Sequence, residues 1–325
     1  MFERIDPVAY DAGRFLADLR TGATILGAPF EEPIVRRTLS VFDDEFRSCV
    51  VQTKATSRAG DGLYYRMFYK GEKDLTEVAR RSGLLGPAGG PIDALQHEVL
   101  EKFPGATRAG LDFDTGHGLA KVWTFTGGPT PIGEVLALES IPDSVRAHAG
   151  FFARAGLDRV FFVASDHQRD SMNVYFGLEP ACRTEDWLRA LIAGTGGAPP
   201  EPALVGRAVE ALAVSAGIGT TFRWDGREMG RWCLYGLAVP YLDPRASAGL
   251  PPLPPRLAGW CEGMPTLNRT PQINVAWSFG RAGFYAKLEK SYARDADRFL
   301  TVEMGGDLSH PEAAGVGPSA GSPAR

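Results

Sequence analysis

Five cationic residues alternate with aromatic or polar residues in segments that have the pattern of β-strands. Because successive side chains of a strand point to opposite faces, residues two positions apart share a face. On this count five groups share one face each: Lys54 with Thr56; Arg66 with Tyr64 and Phe68; Lys121 with Trp123 and Phe125; Arg231 with Cys233 and Tyr235; Lys287 with Tyr285 and Glu289. Any one of these cations could equally face solvent, so the interpretation depends on all five occurring together.

Unpaired cations inside a protein are costly because they lose their hydration. Five of them on enclosed faces therefore predict an anionic ligand with several charges, such as a phosphate or diphosphate. The aromatic neighbours predict an apolar or cationic group next to that anion.

The segment of residues 157–176 has the pattern of a β-hairpin. Two runs rich in Val, Phe and Tyr flank the polar stretch Asp166 to Asp170, which is typical of strands joined by a short turn. Counting by twos gives two groups that each share a face: Phe161, Val163 and Ser165 on the first strand, and Asn173 and Tyr175 on the second. The pattern predicts an aromatic face with polar ends, although an ordinary half-buried hairpin would look similar.

Five such hairpins follow one another, each preceded by helical segments, at a spacing of roughly 50 to 60 residues. Three of the predicted helices run from Asp6–Pro7 to about Ile25, from Pro33 to Phe46 and from Pro202 to Ala216. Ten antiparallel strands that close on themselves leave no exposed edge, with the helices covering the outside. We therefore predict an α+β fold with a ten-stranded antiparallel β-barrel inside a ring of helices, wide enough to hold a ligand along its axis.

Two separate α+β domains are the alternative, ranked second because no linker interrupts the repeat. The segment richest in Pro and Gly, Leu250 to Pro255, lies inside the fifth unit. We expect residues 1–304 to form a single domain and residues 305–325 to be a disordered tail.

Composition limits the class of protein. The chain has 325 residues, 44% of them hydrophobic and 23% charged, with a net charge of −4. These values are typical of a soluble globular protein that binds neither nucleic acid nor a membrane. Residues 1–20 contain no uninterrupted apolar run, so we expect no signal peptide and a cytoplasmic location. We expect the protein to be a monomer whose partners are small molecules.

Other chemical motifs are weak. The four cysteines are far apart and form no CxxC pair, and the five histidines form no HxH or HExxH. Asp43 and Asp44 are followed by Glu45, Phe46 and Arg47 rather than by a DDxxD continuation, so they are a poor metal site. The dinucleotide, P-loop and α/β-hydrolase motifs are absent from the sequence.

Four segments carry a resemblance to a known family: FFARAGLDRV, MNVYF, SFGRAGFYAKLEKSY and TKATSRAGDGLYYRMF. They resemble the ABBA-type aromatic prenyltransferases, especially the cloQ-like bacterial branch of the cloQ/nphB family, and the similarity extends to about Leu300. The resemblance implies a barrel of five ααββ units. It also implies transfer of a prenyl group from dimethylallyl or geranyl diphosphate to an aromatic small molecule such as a phenol or indole, in secondary metabolism.

The resemblance also implies roles by position. The diphosphate shell would consist of Lys54, Arg66, Lys121, Asn173, Tyr175, Arg231, Tyr235 and Lys287. The pocket for the prenyl group or the aromatic acceptor would be lined by Tyr64, Phe68, Trp123, Phe161, Gly217, Gly219, Cys233 and Tyr285. Glu289 is the candidate for orienting or deprotonating the acceptor, and Trp123, Tyr175 and Tyr235 would shield an allylic carbocation.

Three departures from the family pattern carry expectations. Magnesium-using relatives have an Asp where this chain has Tyr64, so we expect no metal cofactor, with Arg66 in its place. Relatives that use 4-hydroxyphenylpyruvate have an Arg where this chain has Phe161, so we expect an uncharged acceptor. Gly217 and Gly219 leave little side-chain bulk and predict room for a larger acceptor. A non-catalytic barrel that binds a lipid or phosphorylated ligand is the alternative function.

Overall fold

The computed structural model describes residues 10–71, 73–179, 182, 184–194, 201–211, 215–237, 253–268, 273–280, 283–294, 296 and 299. The predicted tail, residues 305–325, lies outside the described residues. Within the described part of the chain, no helix combines the length and apolar character needed to cross a bilayer.

Ten antiparallel strands form a closed barrel, as predicted. The strands are β1 Val50–Thr56, β2 Tyr64–Phe68, β3 Thr107–Asp114, β4 Gly118–Pro131, β5 Arg159–Asp166, β6 Ser171–Gly177, β7 Ser215–Arg223, β8 Met229–Leu237, β9 Ile273–Gly280 and β10 Tyr285–Ala293. Each strand pairs with its neighbour in sequence, and β1 also pairs with β10. The closure leaves no strand edge free to pair with another chain.

Helices cover the outer face of the barrel. The described helices are α1 Ala12–Leu26, α2 Glu32–Val41, α3 Asp43–Ser48, α4 Leu75–Arg81, α5 Pro91–Lys102, α6 Ile132–Leu136, α7 Asp143–Arg146, α8 Ala149–Arg154, α9 Glu185–Gly194, α10 Pro202–Ala211 and α11 Pro255–Gly263.

The main hydrophobic core lies between the barrel and the helices. The rings of Phe15 in α1 and Tyr292 in β10 are 4.3 Å apart, and those of Tyr65 in β2 and Phe113 in β3 are 5.3 Å apart. Since Tyr65 points outward into this core, its neighbours Tyr64 and Arg66 point into the barrel.

The structure corrects the three predicted helix boundaries. The first helix begins at Ala12 rather than near Pro7, because Asp11 caps it by accepting a hydrogen bond from the Arg14 backbone N–H; residues 1–9 lie outside the described residues. The predicted helix of residues 33–46 is interrupted at Phe42, whose side chain is fully buried beside Phe113. The helix predicted to reach Ala216 ends at Ala211, and β7 begins at Ser215.

A β-bulge corrects the predicted face of the first strand in the 157–176 hairpin. The register between β5 and β6 shifts between Val160 and Phe162, so alternation restarts one residue later. Phe161 and Phe162 both join the aromatic cluster of the barrel interior. Val163 and Ser165 point outward instead, Val163 into the main core and Ser165 towards the Ile92 carbonyl at 3.4 Å.

Candidate functional site inside the barrel

Two neighbouring cavities lie inside the barrel, and Arg66, which lines one, forms an ion pair with Asp112, which lines the other. The first, the cationic cavity, is lined by Lys54, Thr56, Arg58, Asp61, Tyr64, Asp112, Ala120, Lys121, Asp166, Arg169, Arg231, Tyr285 and Lys287. The second, the apolar cavity, is lined by Arg66, Phe68, Trp123, Phe162, Tyr175, Phe176, Gly217, Ile218, Tyr235 and Glu289.

The cationic cavity carries an excess of positive charge. Six Lys or Arg side chains line it against three Asp side chains, which leaves a surplus of three positive charges when all nine are ionised. The cations are therefore not all unpaired, as the sequence pattern had suggested. Lys54 Nζ is 2.8 Å from Asp112, Arg58 is 2.9 Å from Asp61, and Lys121 is 3.7 Å from Asp166.

Arg231 and Lys287 carry much of the surplus. Within the described part of the chain, neither forms an ion pair with a carboxylate. Arg231 Nε donates a hydrogen bond to Thr221 Oγ1 at 3.2 Å, and Lys287 Nζ is 3.5 Å from the hydroxyl of Tyr235. Their charges are thus available to an anion in the cavity.

Arg66 lies at the boundary of the two cavities and is 4% exposed. Its guanidinium is 2.8 Å from Asp112 and 3.1 Å from Glu289, and it lies 5.0 Å from the centre of the Trp123 ring. Burial alone would lower the Arg66 pKa, but the charges of Asp112 and Glu289 outweigh it and hold the pKa above its ordinary value. Arg66 therefore stays charged with acidic groups on two sides.

Asp112 is the carboxylate that organises this boundary. Strand β3 places it directly opposite Arg66 of β2 and Lys121 of β4. Burial would raise its pKa, but Arg66, Lys54 and Lys121 together hold the pKa well below its ordinary value. Asp112 is thus an anion that fixes two cations, Lys54 and Arg66, with hydrogen bonds of 2.8 and 3.1 Å.

Lys121 is held less firmly as a cation. Its Nζ donates to Asn173 Oδ1 at 2.9 Å, and Asn173 Nδ2 in turn donates to Thr221 Oγ1 at 2.6 Å. Burial lowers the pKa of Lys121 to about 7, because this environment disfavours the charged form. An anion bound next to Lys121 would reverse that effect.

Stacked aromatic rings form the wall of the apolar cavity. Trp123 and Tyr175 are stacked with ring centroids 4.7 Å apart, Phe162 is 5.0 Å from Tyr175, and Tyr235 is 6.0 Å from it. Burial raises the pKa of both tyrosines well above the ordinary value, so both phenols remain neutral. The wall therefore presents π-faces to a cation but no phenolate.

Two predicted pocket residues and two predicted diphosphate ligands lie elsewhere than expected. Tyr64 and Tyr285 line the cationic cavity instead of the apolar one: Arg169 donates a 2.8 Å hydrogen bond to the Tyr64 hydroxyl, and Arg58 lies 4.5 Å from the centre of the Tyr285 ring. The reason is depth along the barrel axis, which strand parity does not specify. Tyr175 and Tyr235, predicted beside the anion, line the apolar cavity.

Gly217 and Gly219 of β7 differ in whether the space beside them is open or filled. Gly217 lines the apolar cavity, in agreement with its predicted place. The space at Gly219 is already filled, since a Cβ there would lie 2.8 Å from the Tyr175 ring and 3.4 Å from that of Tyr235. The prediction that Gly219 enlarges the pocket is therefore wrong.

Cys233 and Phe161 both lie in the barrel interior without lining either cavity. Cys233 is buried on β8, paired with Gly219 and Ser278 of the adjacent strands. The Phe161 ring covers Gly177, where a Cβ would lie 2.6 Å from it.

Five residues that line the cavities were not predicted from the sequence: Arg58, Asp112, Asp166, Arg169 and Phe162. The sequence carried a signal for Asp112. Asp112 lies between hydrophobic neighbours at a position that alternation places on the inner face, opposite two cations. Phe162 required the bulge, and Arg58 and Arg169 come from turns at the barrel mouth.

Comparison with known proteins gives matches over nearly the whole chain. The family described as "Aromatic prenyltransferase Orf2" matches residues 10–302. An "Aromatic prenyltransferase" of Botryotinia fuckeliana is 31% identical over 290 residues, which cover 88% of this chain and 92% of the relative. A "4-hydroxyphenylpyruvate 3-dimethylallyltransferase" of Streptomyces niveus is 32% identical over 292 residues, covering 90% of this chain and 88% of the relative.

Solved structures share the fold. A "6-dimethylallyl tryptophan synthase" superposes with a TM-score of 0.54 at 13% identity, covering 85% of this chain and 95% of the other. The NotF prenyltransferase gives a TM-score of 0.53 at 12% identity, covering 90% of this chain and 97% of the other. At such low identity these structures support the barrel architecture alone.

Proposed function

The chain belongs to the aromatic prenyltransferase Orf2 family, and from this premise we propose that it transfers a dimethylallyl group from dimethylallyl diphosphate to an uncharged aromatic small molecule. The observation that carries the proposal is a cavity whose charged side chains, when ionised, leave three surplus positive charges, next to an aromatic cavity inside one closed barrel. A diphosphate monoester carries nearly three negative charges at neutral pH, since its last ionisation has a pKa of about 6. The surplus therefore matches the leaving group.

The first step breaks the allylic C–O bond, and its electron pair leaves with the diphosphate. Arg231, Lys287 and Lys121 stabilise the negative charge that grows on the phosphate oxygens. The cations are already in place, because Asp112 and Asn173 fix Lys54, Arg66 and Lys121 before the donor arrives. Such preorganisation avoids rearrangement during the reaction.

The allylic carbocation then faces the aromatic wall. Trp123, Tyr175 and Tyr235 stabilise it by cation–π contact and exclude water, which would otherwise quench it. The raised pKa values of Tyr175 and Tyr235 keep these side chains from attacking the carbocation, because a neutral phenol is a much weaker nucleophile than a phenolate. The enzyme's own wall is thereby protected from the electrophile.

We assign to Glu289 the role of accepting the proton that the aromatic acceptor loses. It is 3% exposed, lines the apolar cavity and is hydrogen-bonded to Arg66 at 3.2 Å. The aromatic acceptor attacks the carbocation, a bond forms between them, and the proton lost from the acceptor passes to the Glu289 carboxylate. Arg66 is thus bonded to Asp112 on the donor side of the site and to Glu289 on the acceptor side.

The acceptor we propose carries no charge. Arg66 is the one cation that lines the apolar cavity among the described residues, and it is held by Asp112 and Glu289. The family resemblance implies an Arg at the position of Phe161 in relatives that use 4-hydroxyphenylpyruvate. In this chain Phe161 belongs to the interior aromatic cluster instead. An acceptor carboxylate would therefore lose its hydration with no cation left to pair it. We also propose that the enzyme acts as a monomer in the cytoplasm.

The test is incubation with dimethylallyl diphosphate and a panel of phenols, naphthols, indoles and phenazines, read by mass spectrometry. A prenylated product supports the proposal. Binding of the donor without product from any acceptor would favour the alternative, a barrel that binds a phosphorylated ligand without catalysis.

We expect turnover to be independent of magnesium. Tyr64 supplies no carboxylate, and the three carboxylates of the cationic cavity already lie near cations: Asp112 near Lys54 and Arg66, Asp166 near Lys121, and Asp61 near Arg58. A metal would have to displace these cations to find an oxygen ligand. Activity in excess EDTA should stay within about twofold of the untreated enzyme. A loss of about tenfold that magnesium restores would contradict this expectation.

Donor binding should weaken as the pH rises above 7. Lys121 has a pKa of about 7 in the free protein because burial disfavours its charge, so higher pH removes a proton that the bound diphosphate requires. We expect the dissociation constant of dimethylallyl diphosphate, measured by calorimetry, to rise about tenfold per pH unit above 7.5. Lys121→Arg should flatten this dependence, since a guanidinium stays protonated. The same pH profile in both proteins would exclude Lys121 as its source.

A further inference from the structure

Ala296 and Phe299, two described residues beyond the end of β10, pack with Phe68 of β2. Beyond the end of β10 at Ala293, the side chain of Ala296 is fully buried, and the Phe299 ring packs against Phe68 and Phe125 with centroids 5.1 and 5.9 Å away. Phe68 lines the apolar cavity from its other side. Phe299 therefore stands behind the cavity, at the end away from the cationic cavity.

Aromatic contacts continue from Phe299 to the centre of the site. Phe125, next to Phe299, makes an edge contact with Phe162 at 4.9 Å, and Phe162 lies 5.6 Å from Trp123. Tyr235 also packs against the small cluster of Phe68 and Ala296. At this end the apolar space is bounded by aromatic side chains, so the size of one ring can set its depth.

We propose that Phe299 is the floor of the apolar cavity and limits the prenyl donor to one isoprene unit. This inference rests on the proposed function. The diphosphate is fixed at the cationic end, so the carbon that bears it lies near Arg66, and the apolar tail can extend only along the aromatic wall. A second isoprene unit would reach the level of Phe68, Phe125 and Phe299. Replacing Phe299 with alanine removes about as many carbon atoms as that unit adds.

The experiment is a competition between dimethylallyl and geranyl diphosphate for one acceptor, with wild type, Phe299→Ala and a matched control. Phe284→Ala is the control, because Phe284 is 39% exposed and packs on Phe279 outside both cavities. We expect the ratio of kcat/KM for geranyl over dimethylallyl diphosphate to rise about tenfold or more in Phe299→Ala, in the range for one hydrophobic contact. The control should keep the wild-type ratio, and Phe299→Trp should lower it.

An unchanged ratio in a Phe299→Ala protein with the wild-type circular dichroism spectrum overturns the inference. If that variant does not fold, Phe299→Leu preserves more of the packing, and the readout becomes the dissociation constant of geranyl diphosphate by calorimetry. We then expect affinity for geranyl diphosphate to increase relative to dimethylallyl diphosphate, and equal changes for both donors overturn the inference. Failure of wild type to form product with either donor contradicts the proposed function itself, whereas an active wild type with an unshifted ratio contradicts only the role of Phe299.

Discussion

Replacing Arg66 with serine is expected to lower kcat/KM for the prenyl donor by about 10³-fold, the upper range for loss of one preorganised donor to a developing negative charge. Arg66 is bonded to Asp112 and Glu289 and lies over the Trp123 ring. Its loss removes positive charge at the leaving group and leaves two buried carboxylates without their shared partner. Magnesium should not restore activity, because neither Tyr64 nor the new serine supplies an anionic metal ligand.

Two further variants separate catalysis from folding. Arg66→Lys keeps the charge but loses the planar guanidinium that bonds both carboxylates, so we expect a loss of about 10- to 100-fold with a normal melting temperature. Arg36→Ser is the control for loss of an arginine, since Arg36 is exposed and its ion pair within the described residues is with Glu32 on the surface of α2. Steady-state kinetics with both substrates measures the effect. Wild-type kcat/KM in a folded Arg66→Ser protein would remove Arg66 from the mechanism.

Replacing Glu289 with glutamine should lower kcat by about 10²- to 10⁴-fold, the range for loss of a general base. The amide has nearly the same shape, so the apolar cavity keeps its form. It is neutral, however, and cannot accept the proton from the acceptor. Donor affinity should not fall, because removing a negative charge increases the positive surplus next to the diphosphate.

An isotope experiment makes this prediction specific. With the acceptor deuterated at the position that is prenylated, a primary isotope effect on kcat should appear in Glu289→Gln, because proton loss becomes rate-limiting. Glu77→Gln is the control, since Glu77 lies outside both cavities, with its side chain 42% exposed and paired with Arg81 on α4. An unchanged single-turnover rate constant in Glu289→Gln would show that another group takes the proton.

The barrel was predictable because its signals are local. Each hairpin is recognisable from the alternation of residue types within a few positions and from a polar turn. Five hairpins in succession favour a closed barrel, because closure pairs the hydrogen-bonding groups of every strand edge. Parity also placed Lys54, Arg66, Lys121, Arg231, Lys287 and Glu289 on the inner face correctly. The face of a side chain depends only on its own strand, so the sequence alone determines it where the strand is regular.

The contacts of a side chain across the barrel depend on strand register, on β-bulges and on depth along the barrel axis. These three features were determined only by the tertiary structure. The ladder placed Asp112 opposite Arg66 and Lys121, and thereby paired cations that had looked isolated. The bulge at Val160 and Phe162 brought Phe162 inside. Depth along the axis separated Tyr64 and Tyr285 from the apolar cavity and set Phe299 behind it. Each of these relations joins residues far apart in the chain, so no local pattern of residue types could specify it.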